Sequence, residues 1–509
     1  MKASTKPRGT FAVHAACLRG VEAAPVTVEV SSSGGIPGIS IVGMADSAVL
    51  EARSRIRCAL RSSGFEVPRL NFTVSLSPGD MRKTGTGFDL PIAIAILVLS
   101  GQIPLSDVDD CLFAGELSLE GRVLGVRGEV AYQILAREQN LTFVGGVYDH
   151  HIGLASARQV ELSALSALRL GVLQACRDLD CTPPVPKNGA MLDYADVVGQ
   201  EFAKRALSVA ATGSLGMLMI GPPGSGKTML ARRMNSILPP IDESELQEAL
   251  CIHSVAGVAA DDLLAGVRPF RNPHHGASAA GLIGGGRPVR PGEISLAHGG
   301  VLYLDELGEF QGSVLQMLRQ PLEDGFVKLV RVDGAYVFPA RFQLLASSNP
   351  CPCGYLGDPD ISCKCSETAI RHYQQRLGGP LVDRIDISID VCRPDPLSII
   401  SGESGASTAD LVQQVMQGRE FAAWRSSRNS NATSGVHANL EAAVSSYGLE
   451  ASALDALTKL AEQKHLTARG ISRLCRIART IADMEQREAV STGQLLEASM
   501  LQGRRNESA

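Results

Sequence analysis

The stretch Gly216-Met217-Leu218-Met219-Ile220-Gly221-Pro222-Pro223-Gly224-Ser225-Gly226-Lys227-Thr228 decides how the chain reads. A short apolar run enters G-x-x-x-x-G-K-T, and Met229-Leu230-Ala231-Arg232-Arg233-Met234 continues as a helix. Buried parallel strand, glycine-rich turn and helix N-terminus are the parts that a phosphate-binding loop needs. In Gly221, Pro222, Pro223, Gly224, Ser225 and Gly226, the backbone N–H groups can curl around phosphate oxygens, and the helix dipole favours their charge. Lys227 then reaches the β- and γ-phosphates, and Thr228 holds Mg²⁺. A surface turn rich in Gly and Pro would match the spacing but not the flanking strand and helix. The stretch implies a bound nucleoside triphosphate, ATP with Mg²⁺.

Two further strands extend this reading. Gly300-Val301-Leu302-Tyr303-Leu304 ends in Asp305-Glu306, the pattern of a Walker B strand. Asp305 serves the Mg²⁺ shell and Glu306 polarises the attacking water as general base. Phe342-Gln343-Leu344-Leu345-Ala346 runs into Ser347-Ser348-Asn349. Open parallel sheets bind ligands at the C-terminal ends of their strands, so Asn349 can orient water near the γ-phosphate.

Working outward, the chain's 509 residues allow two to four domains. Composition is that of a soluble globular protein, 45% hydrophobic and 20% charged, with a net charge of −5. Nucleic-acid contact therefore has to come from local basic patches, not from a global field. No apolar run is long enough for a membrane span and no signal peptide is visible, so a cytoplasmic protein without a membrane partner is expected. Residues 1–165 alternate strands (Val26–Val30, Ile39–Val42, Asn71–Leu76) with helices. One helix is capped by Asp46 and stopped at Gly64, and Leu90–Leu99 reads as a buried one. Residues 166–190, with Cys181-Thr182-Pro183-Pro184-Val185-Pro186, read as a stiff linker. The ATPase core is expected over 191–395 and a helical region over 396–509.

Three local patterns remain. Cys351-Pro352-Cys353 and Cys363-Lys364-Cys365 offer four thiols across a turn-rich loop; a tetrahedral Zn²⁺ site, unligated thiols and a redox pair are all compatible with it. Phe326–Val337 alternates apolar and polar residues around Asp333-Gly334, a hairpin signal. Its Lys328 and Arg331 suit either a nucleic-acid backbone or an ordinary solvated face. The segment Phe270–Glu293 is glycine-rich and carries Arg271, Arg287 and Arg290, which suits a flexible loop that grips phosphates. Its His274-His275 pair has poor geometry for one metal and reads as structural.

The ordered set of motifs resembles the magnesium-chelatase-like AAA+ family of the YifB/ComM type over nearly the whole chain. Its most specific pieces are Arg271-Asn272-Pro273-His274-His275, Pro291-Gly292-Glu293-Ile294-Ser295-Leu296-Ala297-His298-Gly299-Gly300, Arg319-Gln320-Pro321-Leu322-Glu323-Asp324-Gly325, Asn349-Pro350-Cys351-Pro352-Cys353-Gly354 and Ala478-Arg479-Thr480-Ile481-Ala482-Asp483. The resemblance implies an α/β fold: a P-loop AAA+ module, an N-terminal α+β domain like that of Lon protease (S5-like) and a C-terminal helical lid. It makes Asn349 similar to sensor 1 and Arg384 to a trans-acting arginine finger, with a surface pair to Asp383 or Asp386 as the alternative. Arg469 resembles sensor 2 contacting the γ-phosphate in cis, with Arg473 one turn later as the fallback. The hairpin resembles one that ring helicases point into their pore. A homo-hexameric DNA helicase that drives branch migration in natural transformation is implied; a chelatase-type or chaperone-like ATPase acting on a protein is the alternative. Gly38–Gly43, Glu51-Ala52-Arg53 and Lys83–Pro91 carry the Lon-like resemblance. Gly87 stands where that protease needs its serine and Val123–Arg137 has no lysine, so this domain is expected to be structural, or a platform for DNA or a partner.

Overall fold

The computed structural model describes residues 9–67, 69–179, 192–332, 334–377, 381, 384–394, 397, 400, 405–428 and 446–503. Two sheets organise it. The first contains β1 (Thr10–Arg19), β2 (Glu22–Ser33), β3 (Gly38–Val42), β4 (Asn71–Ser77) and β5 (Cys111–Ala114). A small ribbon of β6 (Glu116–Leu117) and β7 (Val123–Leu124) follows, then β8 (Thr142–Gly145), β9 (Gln159–Glu161) and β10 (Arg177–Asp178) rejoin the sheet. Its order is β10-β9-β8-β5-β1-β2-β4-β3. The pair β1–β2 is antiparallel, whereas β1–β5, β5–β8 and β8–β9 are parallel.

Local chemistry explains its helices. Asp46 accepts the N–H of Val49 at 2.9 Å and caps Ser47–Ser62, which turns Val49, Ala52, Ile56, Ala59 and Leu60 inward. Asp89–Leu99 is buried almost all round, as its unbroken apolar run requires. The expected linker is ordered in its first part: Leu165, Leu168 and Val172 complete the core of this sheet, and β10 adds an edge strand. Cys181–Pro186 lie outside the described residues.

The second sheet is wholly parallel, with β11 (Met217–Ile220), β12 (Phe270–Arg271), β15 (Val301–Leu304), β18 (Gln343–Ser348) and β19 (Ile387–Asp390) in the order β12-β15-β18-β11-β19. Between them lie two ribbons, β13 (Gly284–Gly285) with β14 (Arg290–Pro291), and β16 (Phe326–Arg331) with β17 (Gly334–Pro339). Both sheet faces are covered, so β15 and β18 are buried at every position. On one face Glu201–Gly213 packs with the C-terminal helices Thr408–Arg428, Ala451–Gln463, Ala468–Met484 and Thr492–Leu501. Against the other lie the β16–β17 ribbon and Phe310, Val314 and Leu318. The first sheet is docked on this half: Gly128 N–H donates to Ser254 O at 3.1 Å, and Leu18 and Val21 pack on the ribbon's core. Among the described residues no helix is long and apolar enough to cross a membrane.

Candidate active site

The order of the parallel sheet sets β11 between β18 and β19, and the chain reverses direction across the sheet there. Such a switch point opens a crevice beyond the strand ends. The loop after β11 fills it. Gly224 and Gly226 adopt φ of 78° and 89°, a region that favours glycine, and a Cβ on Gly221 would stand 2.1 Å from Val391 O. The helix that follows is short, Lys227–Arg232, and passes into a 3₁₀ turn. Lys227 Nζ donates to Gly221 O at 2.7 Å, Pro222 O at 2.9 Å and Asn349 Oδ1 at 3.4 Å. Burial holds its pKa below the usual lysine range, while Asp305 and Glu306 oppose that shift. P-loop and sensor strand thus meet at one ammonium.

Below it, Thr228 Oγ1 donates to Asp305 Oδ2 at 3.0 Å. That hydroxyl–carboxylate pair fits a hydrated Mg²⁺, which takes few protein oxygens and keeps waters. Ser347, fully buried, donates to Asp305 Oδ1, and Tyr303 OH donates to Ser347 Oγ at 3.0 Å. The sequence signal for Ser347 is the polar pair Ser347-Ser348 that closes an otherwise apolar strand. Glu306 sits at φ 54°, strained for a non-glycine residue, with its N–H on Asp305 Oδ1 at 3.1 Å. His275 Nδ1 lies 3.5 Å from Glu306 Oε2. The His275 ring is 4.0 Å from that of His274 and edge-on to Phe310 at 6.5 Å. The histidine pair read as purely structural therefore faces the carboxylate expected to be the base.

Arg384, Arg469 and Arg473 stand elsewhere. With Arg476 they line a cleft of about 350 Å³ together with Gly216, Leu344 and Asp386. Gly216 precedes β11, so this cleft lies at the opposite, N-terminal ends of the strands, roughly 17 Å along the strand from Gly221. Arg469, expected in cis, is across the sheet from the Lys227 of its own chain. Arg384 Nε donates to Glu323 Oε1 at 2.8 Å. Asp386, the alternative partner, instead binds Arg476 and accepts Gly216 N–H at 3.1 Å. Asp383 is outside the described residues.

The four cysteine sulfurs converge: Cys351–Cys353, Cys351–Cys363 and Cys353–Cys363 are 3.4, 3.7 and 3.6 Å apart, and all four lie within 4.8 Å. Zn–S bonds of about 2.3 Å in a tetrahedron give sulfur–sulfur edges of about 3.8 Å, so the donor set fits Zn²⁺. Backbone N–H groups of Lys364 and Tyr355 pull the Cys353 thiol down to about 6. The loop rests on the phosphate loop: a Cβ on Gly354 would stand 2.6 Å from Pro223 Cδ.

Among the expected nucleic-acid residues, Lys328, Arg331, Arg287 and Arg290 are exposed. Lys328 shares the outer face of the β16–β17 ribbon with Val330 and Val337. Asp333, in the turn, is not among the described residues. Arg271 is paired: Glu293 holds its guanidinium through two bonds of 2.6 and 2.7 Å, which ties β12 to the short helix Glu293–Leu296. The glycine-rich segment is built, not loose, since a Cβ on Gly292 would stand 2.4 Å from Leu282 O. In the first domain Gly87 supplies no nucleophile, and Lys83 is fully buried with Nζ on Pro78 O.

Three family models match the chain: "Magnesium chelatase, subunit ChlI" over 193–398, "Subunit ChlI of Mg-chelatase" over 28–144, and "Magnesium chelatase, subunit ChlI C-terminal" over 405–502. YifB of Escherichia coli (strain K12) is 37% identical over 496 residues, 96% of each chain. Competence protein ComM of Haemophilus influenzae is 36% identical over 500 residues, again 96% of each. Lon protease 2 of Bacillus subtilis is 27% identical over 247 residues, 43% of each. A parallel sheet carrying Lys227, Thr228, Asp305 and Asn349 at one edge is what an ATPase of this kind requires, and the chain belongs to the magnesium-chelatase-like AAA+ family of YifB and ComM.

Proposed function

We propose that the protein is a ring-forming ATP-driven DNA motor that promotes branch migration of recombination intermediates. One observation carries the ring: Arg384, Arg469 and Arg473 lie at the ends of the strands opposite to those that carry Lys227, Asp305 and Asn349. In this reading a neighbouring subunit brings its arginine cleft to the phosphate loop, and sensor 2 acts in trans with the finger. Bound ATP·Mg²⁺ supplies the phosphoanhydride and the charge that neutralises its oxygens. Lys227 exchanges its carbonyl partners for phosphate oxygens, and Thr228 with Asp305 orients the Mg²⁺ shell. Glu306 takes the proton of the attacking water, which Asn349 aligns. A neighbour's Arg384, leaving Glu323, stabilises the charge that develops. A homo-hexamer places six hairpins in one pore, so weak contacts from Lys328 and Arg331 multiply despite the negative net charge.

Zn²⁺ in the four-cysteine loop would brace Asn349, which adjoins it in sequence, and Pro223, which touches Gly354 in space. DNA as substrate is supported by the exposed cations and by the likeness to a competence protein. A chelatase or protein-remodelling ATPase is the rival reading, favoured by the family description. Mixing tests the seam: Lys227→Ala and Arg384→Ala proteins should each be inactive, while an equal mixture regains ATPase activity at roughly a quarter of its seams. No recovery would refute trans action. Branch migration on four-way DNA, with Glu306→Gln as control, tests the substrate; ATPase activity raised by a protein client and not by DNA would refute it.

A further inference from the structure

Four exposed arginines from both halves of the molecule form one row. Arg19 closes β1 and its guanidinium reaches the turn of the β16–β17 ribbon: a Cβ on Gly334 would stand 3.5 Å from Arg19 Nη2. Gly334 is the register partner of Arg331. The Arg331 guanidinium in turn lies over the glycine-rich ribbon, where a Cβ on Gly285 would stand 3.3 Å from its Nη2. Gly285 is the register partner of Arg290. Burial, and then the nearby charge of Arg290, hold the Arg127 guanidinium below its ordinary value. Register partners in antiparallel ribbons are about 4.5–5.5 Å apart at Cα, so Arg19 reaches the backbone beside Arg331, and Arg331 reaches the backbone beside Arg290.

Among the described residues none of the four takes part in an ion pair of 4.0 Å or less. Glu22, the register partner of Arg19, makes none with it either. Like charges set near one another without ion-pair partners cost free energy unless an anion runs along them. The row crosses four chain segments, and two of its members, Arg19 and Arg127, belong to the Lon-like domain, for which no activity was apparent. Two hydrogen bonds hold the Arg127 loop against the ATPase half: Gly128 N–H donates to Ser254 O at 3.1 Å, and Arg127 Nη1 donates to Ala256 O at 3.4 Å.

We propose that Arg19, Arg331, Arg290 and Arg127 form a continuous phosphodiester track, and that the N-terminal domain supplies half of the nucleic-acid surface. The inference rests on the reading of the chain as a DNA motor. It gives the N-terminal domain a concrete role: its β1–β2 turn and the loop before Glu129–Glu138 carry strand backbone past the moving hairpin.

The test is oligonucleotide binding by the full chain with a non-hydrolysable ATP analogue, measured by anisotropy over a range of salt. The double variant Arg19→Gln/Arg127→Gln should bind single-stranded DNA about tenfold more weakly, with a log K against log salt slope shallower by about 1.4. Arg19→Lys/Arg127→Lys should keep the slope near that of the wild type, with an unchanged thermal midpoint as the folding control. Slope and affinity equal to wild type in the glutamine pair would overturn the track. So would a lysine pair as weak as the glutamine pair, or poly-glutamate bound as tightly as DNA at equal charge. Absence of DNA binding by the wild type would sink the motor reading itself, a different result.

Discussion

Replacing His275 tests whether Glu306 is held in place from the glycine-rich segment. The two side chains approach to 3.5 Å but are 38% and 55% exposed. A pair so open to water contributes at most about 1 kcal/mol to folding. The effect on hydrolysis should be larger than that on stability. A general base contributes roughly 10²- to 10⁴-fold, and only when it is oriented on its proton. With Nδ1 carrying the proton, His275 fixes Oε2 and leaves Oε1 for water. His275→Ala should therefore lower kcat about tenfold, about 1.4 kcal/mol of barrier, with KM for ATP within about twofold. The contact is through Nδ1, which an Asn amide mimics and a Gln amide does not. His275→Asn should recover most of the rate and His275→Gln little. In a Glu306→Gln background His275→Ala should add no further loss, because the two act as a unit. Steady-state ATPase assays decide it. Equal losses in the Asn and Ala variants, or a full additional loss in the Glu306→Gln background, would refute the positioning argument.

Other outcomes follow from the geometry. If the four-cysteine loop binds Zn²⁺, atomic absorption should find one zinc per chain, and chelation or Cys351→Ser should lower the thermal midpoint and weaken ATP-analogue binding together, since Gly354 rests on Pro223. Gly354→Ala should weaken nucleotide binding even with metal retained, because its Cβ would strike Pro223 Cδ at 2.6 Å and φ is 85°. Arg55→Met should cost about 3–5 kcal/mol in urea unfolding, because Asp89, with no side-chain exposure, loses bonds of 2.7 and 2.9 Å. Burial already raises the Asp89 carboxyl above its usual value. A carboxyl raised on folding favours the folded state as pH falls, so the Arg55→Met deficit should shrink on acidification from neutral pH towards 5.

Much of the nucleotide crevice was legible because its parts are local. An apolar run of four residues, two left-handed glycines and a terminal Asp-Glu each declare their own backbone, and β11 and β15 form as read. Asp46 as a cap and the β16–β17 ribbon were equally local signals. What sequence order does not carry is which edge of a sheet a later helix will face. Arg469 follows the sensor strand by more than a hundred residues, and its side of the sheet is fixed by the packing of Leu474, Ile477 and Ile481 beside Glu201–Gly213. Arg271 shows the same limit: its basic character was visible, but its partner Glu293 comes 22 residues later. Ser347 and His275 act through neighbours that only the folded sheet supplies. The first strand, Thr10–Arg19, went unread because its alternation is blurred by Ala15-Ala16-Cys17, all buried.

The strand β11 has a different master at each end. Gly216 N–H is fixed by Asp386, which also binds Arg476 of the arginine cleft, and Gly221 N–H is fixed by Ser348 O beside Asn349. Its four residues are paired on both sides, to β18 and to β19. In a closed ring this short rod would tie the pocket where one subunit holds its own nucleotide to the pocket it completes next door. Firing order around the circle would then be a mechanical property of the sheet, imposed on each protomer by the state of its neighbour's fuel.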